Sequence, residues 1–185
     1  MTHSTNNKLP TKNKLLLMRH AKSDWADSRL ADKDRPLNDR GRQAAPMMAE
    51  WLATNQLLPD RVLCSSAIRT RQTLNLMNEC WLRMGTDQLL MPQVEFLDDL
   101  YLATADRILE IASTSNDGSC RLVLGHNPGM EQLASSLGDR EIDMPTAAIV
   151  ALESCVPGWP DDWSDKSQWS LRGLVKPRDL ASLQG

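Results

Sequence analysis

The chain has 185 residues, enough for one domain with a full core, and it carries 21 Lys+Arg against 24 Asp+Glu for a formal charge of −3. That balance gives no general attraction to nucleic acid or to anionic lipid, so any anion site must be local. No apolar run approaches the ~20 residues that a membrane-spanning helix needs, and Cys64, Cys80, Cys120 and Cys155 form no C-x-x-C pair, which suits reduced thiols in a cytoplasmic protein and supplies no zinc site.

In chain order, residues 1–14 (MTHSTNNKLPTKNK) are polar without an apolar h-region, which predicts a disordered tail rather than a signal peptide; a single domain is expected over residues 15–185. The run Leu15–His20 reads as a strand that ends abruptly in Arg19-His20. Asp39–Asn55 has a helical pattern that Pro46 would break or kink in mid-course. Strand Arg61–Cys64 leads into a helix over Ala67–Trp81, with Ala67, Thr70, Leu74, Met77 and Trp81 on one face and Ser65 and Ser66 as cap candidates. Strands Val94–Phe96 and Arg121–Gly125 then alternate with helices Ala105–Ser113 and Pro128–Leu137. In the last helix Asn127 is the expected cap, Pro128 fits the first turn, and Gly138 ends the element. Strands Ala148–Glu153 and Gln168–Leu174 close the chain. Between them Val156–Trp169 is turn-rich and acidic with three tryptophans, and it reads as a long hairpin-like loop whose tryptophans cover the sheet edge. Strands alternating with helices predict an α/β fold.

Only three histidines occur, and His3 lies in the polar tail. The other two each follow an apolar strand: His20 in LLLMRHAKSD and His126 in RLVLGHNPGM. A third strand end delivers CSSAIRTRQT, with Arg69 and Arg71 at the start of a helix. Carboxyl ends of parallel strands share one edge, where ligands bind and where helix N-termini point their amides. Arg71 points about 200° around the helix from Arg69 and is read as solvated. A phosphoryl group suits the field of Arg19, Arg69 and the two histidines, because guanidinium groups hold its oxygens in bidentate fashion. One imidazole can attack phosphorus as a neutral nucleophile while the other groups stabilise the charge on the transferring group. His20 is the nucleophile candidate, and His126 is placed opposite it as a stabilising donor. Each residue alone has an ordinary structural explanation; their arrival from three strand ends is what points to chemistry.

The runs LLLMRHAKSDW, RPLNDRGRQAA, VLCSSAIRTRQT and LVLGHNPGMEQL, with VKPRDL near the end, resemble the histidine phosphatase superfamily, in particular its small bacterial SixA-type phosphohistidine phosphatases. The likeness spans Leu15 to about Leu180. It implies a three-layer α/β/α sandwich with a mostly parallel sheet and hydrolysis of a phosphoryl group through a phosphohistidine intermediate, without cofactor or metal. By the same resemblance His20 becomes phosphorylated, Arg19 and Arg69 hold the phosphoryl oxygens, His126 completes the pocket, and Ser23 adds a polar phosphate contact. Ala21 stands where many members have glycine. The general acid is a glutamate in much of the superfamily; here the segment reads FLDDLYLATADR, and Asp99 is the candidate with Asp98 beside it. The expected partner is a phosphorylated protein or a small phosphorylated metabolite, with no nucleic acid and no membrane involved.

Other readings compete. A cysteine phosphatase needs a C-x5-R loop, whereas Cys64 and Arg69 are separated by four residues with no glycine between them. A D-x-D metal phosphatase would rest on Asp32 and Asp34, which lie in a polar loop. A phosphoglycerate mutase shares the expected fold, but the chain is short for a lid over a two-phosphate substrate. A small-molecule phosphomonoesterase of the same superfamily and a non-catalytic phosphate or phosphohistidine-binding module remain as alternatives. Hydrolysis rates on phosphoesters against phosphohistidine separate them.

Overall fold

The computed structural model describes residues 12–182. Six strands form one sheet: β1 (Lys14–Arg19), β2 (Arg61–Ser65), β3 (Gln93–Leu97), β4 (Cys120–Gly125), β5 (Ile149–Ser154) and β6 (Trp169–Val175). Their order is β3-β2-β4-β1-β5-β6. The pairs β2–β3, β2–β4 and β1–β4 are parallel, and β5 runs antiparallel to both β1 and β6. The helices are α1 (Asp39–Thr54), α2 (Ile68–Arg83), α3 (Ala105–Ala112), α4 (Gly129–Leu137) and the short α5 (Pro177–Ala181).

The three layers follow from strand alternation. Leu15 and Leu17 of β1 point into one core with Val123, Val150 and the inner faces of α3 and α4. Leu16 and Met18 point into the other with Leu122, Leu124, α1 and α2. Both faces are covered, so β1 and β4 read as continuous apolar runs rather than alternating ones.

Several expectations shift. The strand begins at Lys14 and Asn13 is buried, so the last residues of the expected tail belong to the fold; residues 1–11 lie outside the described residues. Helix α1 runs through Pro46 without a break, since its Ala45, Met48, Ala49 and Leu52 are buried against the sheet and outweigh one missing N–H. The expected caps also differ. α2 is preceded by Ala67 and α4 by Pro128, neither capping through a side chain. Ser65 and Asn127 use their side chains in the site described next, and Ser66 donates its hydroxyl to Asp98. Trp159 and Trp163 of the long β5–β6 connection and Trp169, the first residue of β6, are buried in the core beside α3 and α4, with Trp159 and Trp163 stacked at 4.8 Å between centroids. They therefore cover the sheet as expected, but from one face rather than along its edge.

Candidate active site

The carboxyl ends of β1, β2 and β4 bring Arg19, His20, Arg69 and His126 to one cavity of ≈ 410 Å³, which Lys22, Ser23, Trp25, Asp32, Leu102, Asn127 and Thr146 also line. β1 ends in Arg19, and the N–H of His20 continues the ladder by donating to the Gly125 carbonyl at 3.0 Å. On the other side Ala147, in the left-handed region at φ 64°, donates its N–H to the carbonyls of Arg19 (3.1 Å) and His20 (3.0 Å). The backbone that presents the Arg-His pair is thus pinned from β4 on one side and from the turn that leads into β5 on the other.

The tautomers follow from the partners. His20 Nδ1 lies 2.7 Å from the Ala21 carbonyl, which can only accept, so Nδ1 carries the proton and Nε2 presents a lone pair. Arg69 Nε donates to that lone pair at 3.2 Å, while Arg69 Nη2 donates to His126 Nδ1 at 3.1 Å. His126 therefore keeps its proton on Nε2, directed at Ser65 Oγ 2.8 Å away. The two rings lie 5.1 Å apart between centroids. Burial pushes the His20 pKa down to about 4, offset in part by the bond to Ala21, with Arg69 and Arg19 lowering it further. Burial, then His20 and Arg69, push His126 down to about 3. Both imidazoles are neutral at physiological pH.

Arg69 is almost fully buried and spends its guanidinium on four groups: the two histidines, the Asp32 carbonyl and the Asp32 carboxylate at 2.9 Å. Arg19 donates Nη1 to the Met144 carbonyl at 2.9 Å, and its Nε is buried with no hydrogen-bond partner among the described residues. Buried donors without partners are uncommon and suit a site that receives an anion. Ser23 is buried and lines the cavity. Asn127 donates its amide to the Met144 carbonyl and to Glu131, which ties the His126 segment to the Arg19 anchor.

Asp99 is not brought to the cavity. It is exposed and paired with Arg107, because the first turn of α3 places that guanidinium beside it. Asp98 bonds Lys33 and Ser66 instead. The carboxylate that does reach the cavity is Asp32, in a short 3-10 turn over Asp32–Asp34. It accepts from Tyr101 Oη at 2.7 Å, and that bond together with Arg69 holds it below the ordinary carboxylate range. Asp32, Tyr101 and Ser65 were not among the expected site residues. The thiol alternative fails on physical grounds: burial pushes Cys64 up to about 12, where no thiolate forms. Arg71 is exposed as expected and lies over the Phe96 ring at 4.4 Å. A larger hollow of ≈ 610 Å³ between α3 and the tryptophan-bearing loop is lined by Asp106, Glu110, Asp161 and Asp162, and its charge repels an anion.

Comparisons with known proteins agree with this geometry. The family model of the histidine phosphatase superfamily (branch 1) matches residues 15–91. An uncharacterised chloroplastic protein of Arabidopsis thaliana is 33% identical over 174 residues, covering 89% of this chain and 78% of the relative. The phosphohistidine phosphatase SixA of Escherichia coli is 28% identical over 141 residues, covering 75% and 83%. Among solved structures, the protein histidine phosphatase SixA complexed with tungstate superposes with a TM-score of 0.71 at 24% identity, covering 90% of this chain and 99% of that one. The chain belongs to the histidine phosphatase superfamily and has its SixA-like fold. Its activity class is that of a phosphatase.

Proposed function

We propose that the protein hydrolyses phosphohistidine on a protein substrate, through phosphorylation of its own His20. The observation that carries this reading is the neutral His20 ring, whose Nδ1–H is held by the Ala21 carbonyl and whose Nε2 lone pair faces the cavity between Arg69 and His126.

In the first step the His20 Nε2 lone pair forms a bond to phosphorus as the bond from phosphorus to the substrate imidazole breaks. Arg69 turns its N–H groups from the histidine lone pairs to the phosphoryl oxygens, and Arg19 contributes its free donors. Both arginines meet charge where it develops. His126, facing the same Arg69, adds a donor once the phosphoryl charge opposes the burial that keeps it neutral. Ser23 is placed to contact a phosphoryl oxygen. In the second step water attacks phosphorus, the P–N bond to His20 breaks, and phosphate leaves with His20 neutral again.

The leaving group favours phosphohistidine over an alkyl phosphoester. An alkoxide needs a proton from a nearby acid, but Asp99 is turned to Arg107 and Asp32 is held ionised by Tyr101 and Arg69. A substrate imidazole can arrive already protonated, and so asks less of the site. The SixA name of the Escherichia coli relative supports the same substrate class.

The test is a paired assay without added metal, giving wild type and His20→Ala a phosphohistidine-bearing protein and, separately, an aryl phosphate. The expected result is cleavage of the phosphoprotein by wild type alone, with phosphate transiently bound to His20. Loss of the His126 donor in His126→Ala should lower kcat by ~10²–10³. Aryl phosphate cleaved as well as phosphoprotein would move the assignment to a small-molecule phosphomonoesterase. Full activity in His20→Ala would overturn the mechanism.

A further inference from the structure

Beside the catalytic cavity lies a second one of ≈ 280 Å³, lined by Lys22, Arg40, Lys176 and Arg178, together with Ala44, Pro145, Thr146 and Pro177. Lys22 and Thr146 line both cavities, so the two share a wall. Among the described residues no acidic one lines the second cavity. Its position follows from a close approach of backbone: Asn38 donates its N–H to the Lys22 carbonyl at 3.0 Å, and a Cβ on Gly41 would lie 2.2 Å from that oxygen. The start of α1 is thereby clamped to the segment that follows His20, which sets Arg40 beside Lys22.

The cations are unequally compensated. Lys176 donates to Asp143 at 2.9 Å, and Arg178 lies 3.7 Å from Asp179. Lys22 and Arg40 are exposed and have no ion pair among the described residues. In a chain of net charge −3 this is a local positive field next to the reacting centre.

We propose that this basic cavity binds carboxylate side chains that flank the phosphorylated residue of an acidic protein substrate. The inference rests on the phosphohistidine reading above and deepens it. Two features favour acidic side chains over the second phosphate of a small molecule. Lys22, Arg40 and Arg178 are exposed, flexible cations, and no buried guanidinium fork is set to grip one phosphate; such an array suits a distributed acidic surface. On the catalytic cavity's rim stands Trp25, 65% exposed, with Arg35 stacked on its ring at 3.5 Å. A large exposed aromatic beside a charged rim is the composition of a protein-docking surface.

The experiment compares phosphohistidine peptides with glutamate flanks or glutamine flanks, together with propane-1,3-diyl bisphosphate and its monophosphate, on wild type and Arg40→Glu/Arg178→Glu. Wild type should show a KM about tenfold lower for the glutamate peptide, the size expected of a few exposed ion pairs, and the gap should shrink with salt. The double variant should lose or invert that preference. Equal KM values for both peptides in wild type would overturn the subsite, and so would a preference for the bisphosphate larger than that for the glutamate peptide. If no phosphohistidine peptide is turned over, the failure belongs to the proposed substrate. The subsite is then read from inhibition of aryl phosphate hydrolysis by hexaglutamate: inhibition in wild type that is lost in the double variant upholds it, and none in wild type overturns it.

Discussion

His20 and His126 are neutral chiefly because the fold buries them, and that has a consequence for stability. An unfolded histidine takes up its proton near pH 6.5, whereas these two resist it down to about 4 and about 3. Between those limits the unfolded chain binds more protons than the folded one, so stability rises with pH. The contribution is complete above pH 6.5 and is lost as pH falls toward the folded values, at about 1.4 kcal/mol per pH unit for each histidine. Asp32, Asp98 and Asp143 have depressed folded values, so what they contribute is held down to about the ordinary carboxylate value of 3.8 and lost only below it. The window from pH 6.5 to 5 therefore isolates the histidines. Urea unfolding at pH 7 and pH 5 should show a clear drop for wild type and a much flatter response for His20→Gln/His126→Gln. A wild type equally stable at both would show that the rings are not held neutral by burial.

The elements carry the site through a few close approaches. A Cβ on Gly129 would lie 2.0 Å from the Ala103 carbonyl oxygen, so α4 packs its first turn directly on the segment that bears Tyr101 and Leu102. Gly129→Ala must push the two apart, three residues from His126. We expect a loss of about 1–3 kcal/mol in a thermal melt and a kcat lowered ~10²-fold, as for a misplacement of about 1 Å. Wild-type Tm and kcat together would show that the contact positions nothing. These elements were legible in the sequence because apolar runs and helical faces are local patterns, and Arg19, His20, Arg69 and His126 sit at the ends of such patterns. Asp32, Tyr101 and Ser65 were not. Their partners are Arg69, Asp32 and His126, at separations of 37, 69 and 61 residues, and Asp32 sits in a three-residue turn with no periodicity to betray its direction. Asp99 was misplaced for a related reason. In one 3-10 turn neighbouring carboxylates point apart, and Arg107, an α3 residue, decides where Asp99 goes.

Across the whole molecule, five of the six strands run in one direction, so chemistry and support are sorted to opposite ends of the sheet. The carboxyl end holds the catalytic cavity and the basic one that shares its wall. Near the amino end of β4, Trp159 donates Nε1 to the Gly118 carbonyl at 3.0 Å, and Trp169 donates to the Trp163 carbonyl at 3.0 Å. Arg121, at the start of β4, lies under this cluster with its guanidinium 4.8 Å from the Trp159 centroid and 5.6 Å from that of Trp163. It is 1% exposed, and it donates to the carbonyls of Ala112 and Asp117 rather than to a carboxylate. With no ion pair among the described residues, this buried cation depends on those carbonyls and on the aromatic faces to offset its lost hydration. The tryptophan-bearing loop therefore seals a charged residue into the core, far from the reacting groups. Trp163→Ala should destabilise the fold by ~3–5 kcal/mol, more if water reaches Arg121. Below the new melting temperature kcat should stay within about twofold of wild type, because no tryptophan of this cluster lines the catalytic cavity. Denaturant unfolding and steady-state kinetics on the same preparation decide it. A kcat that falls while the protein is still fully folded would mean that the two ends of the sheet are coupled, and that this loop reports to the site instead of only sealing the core.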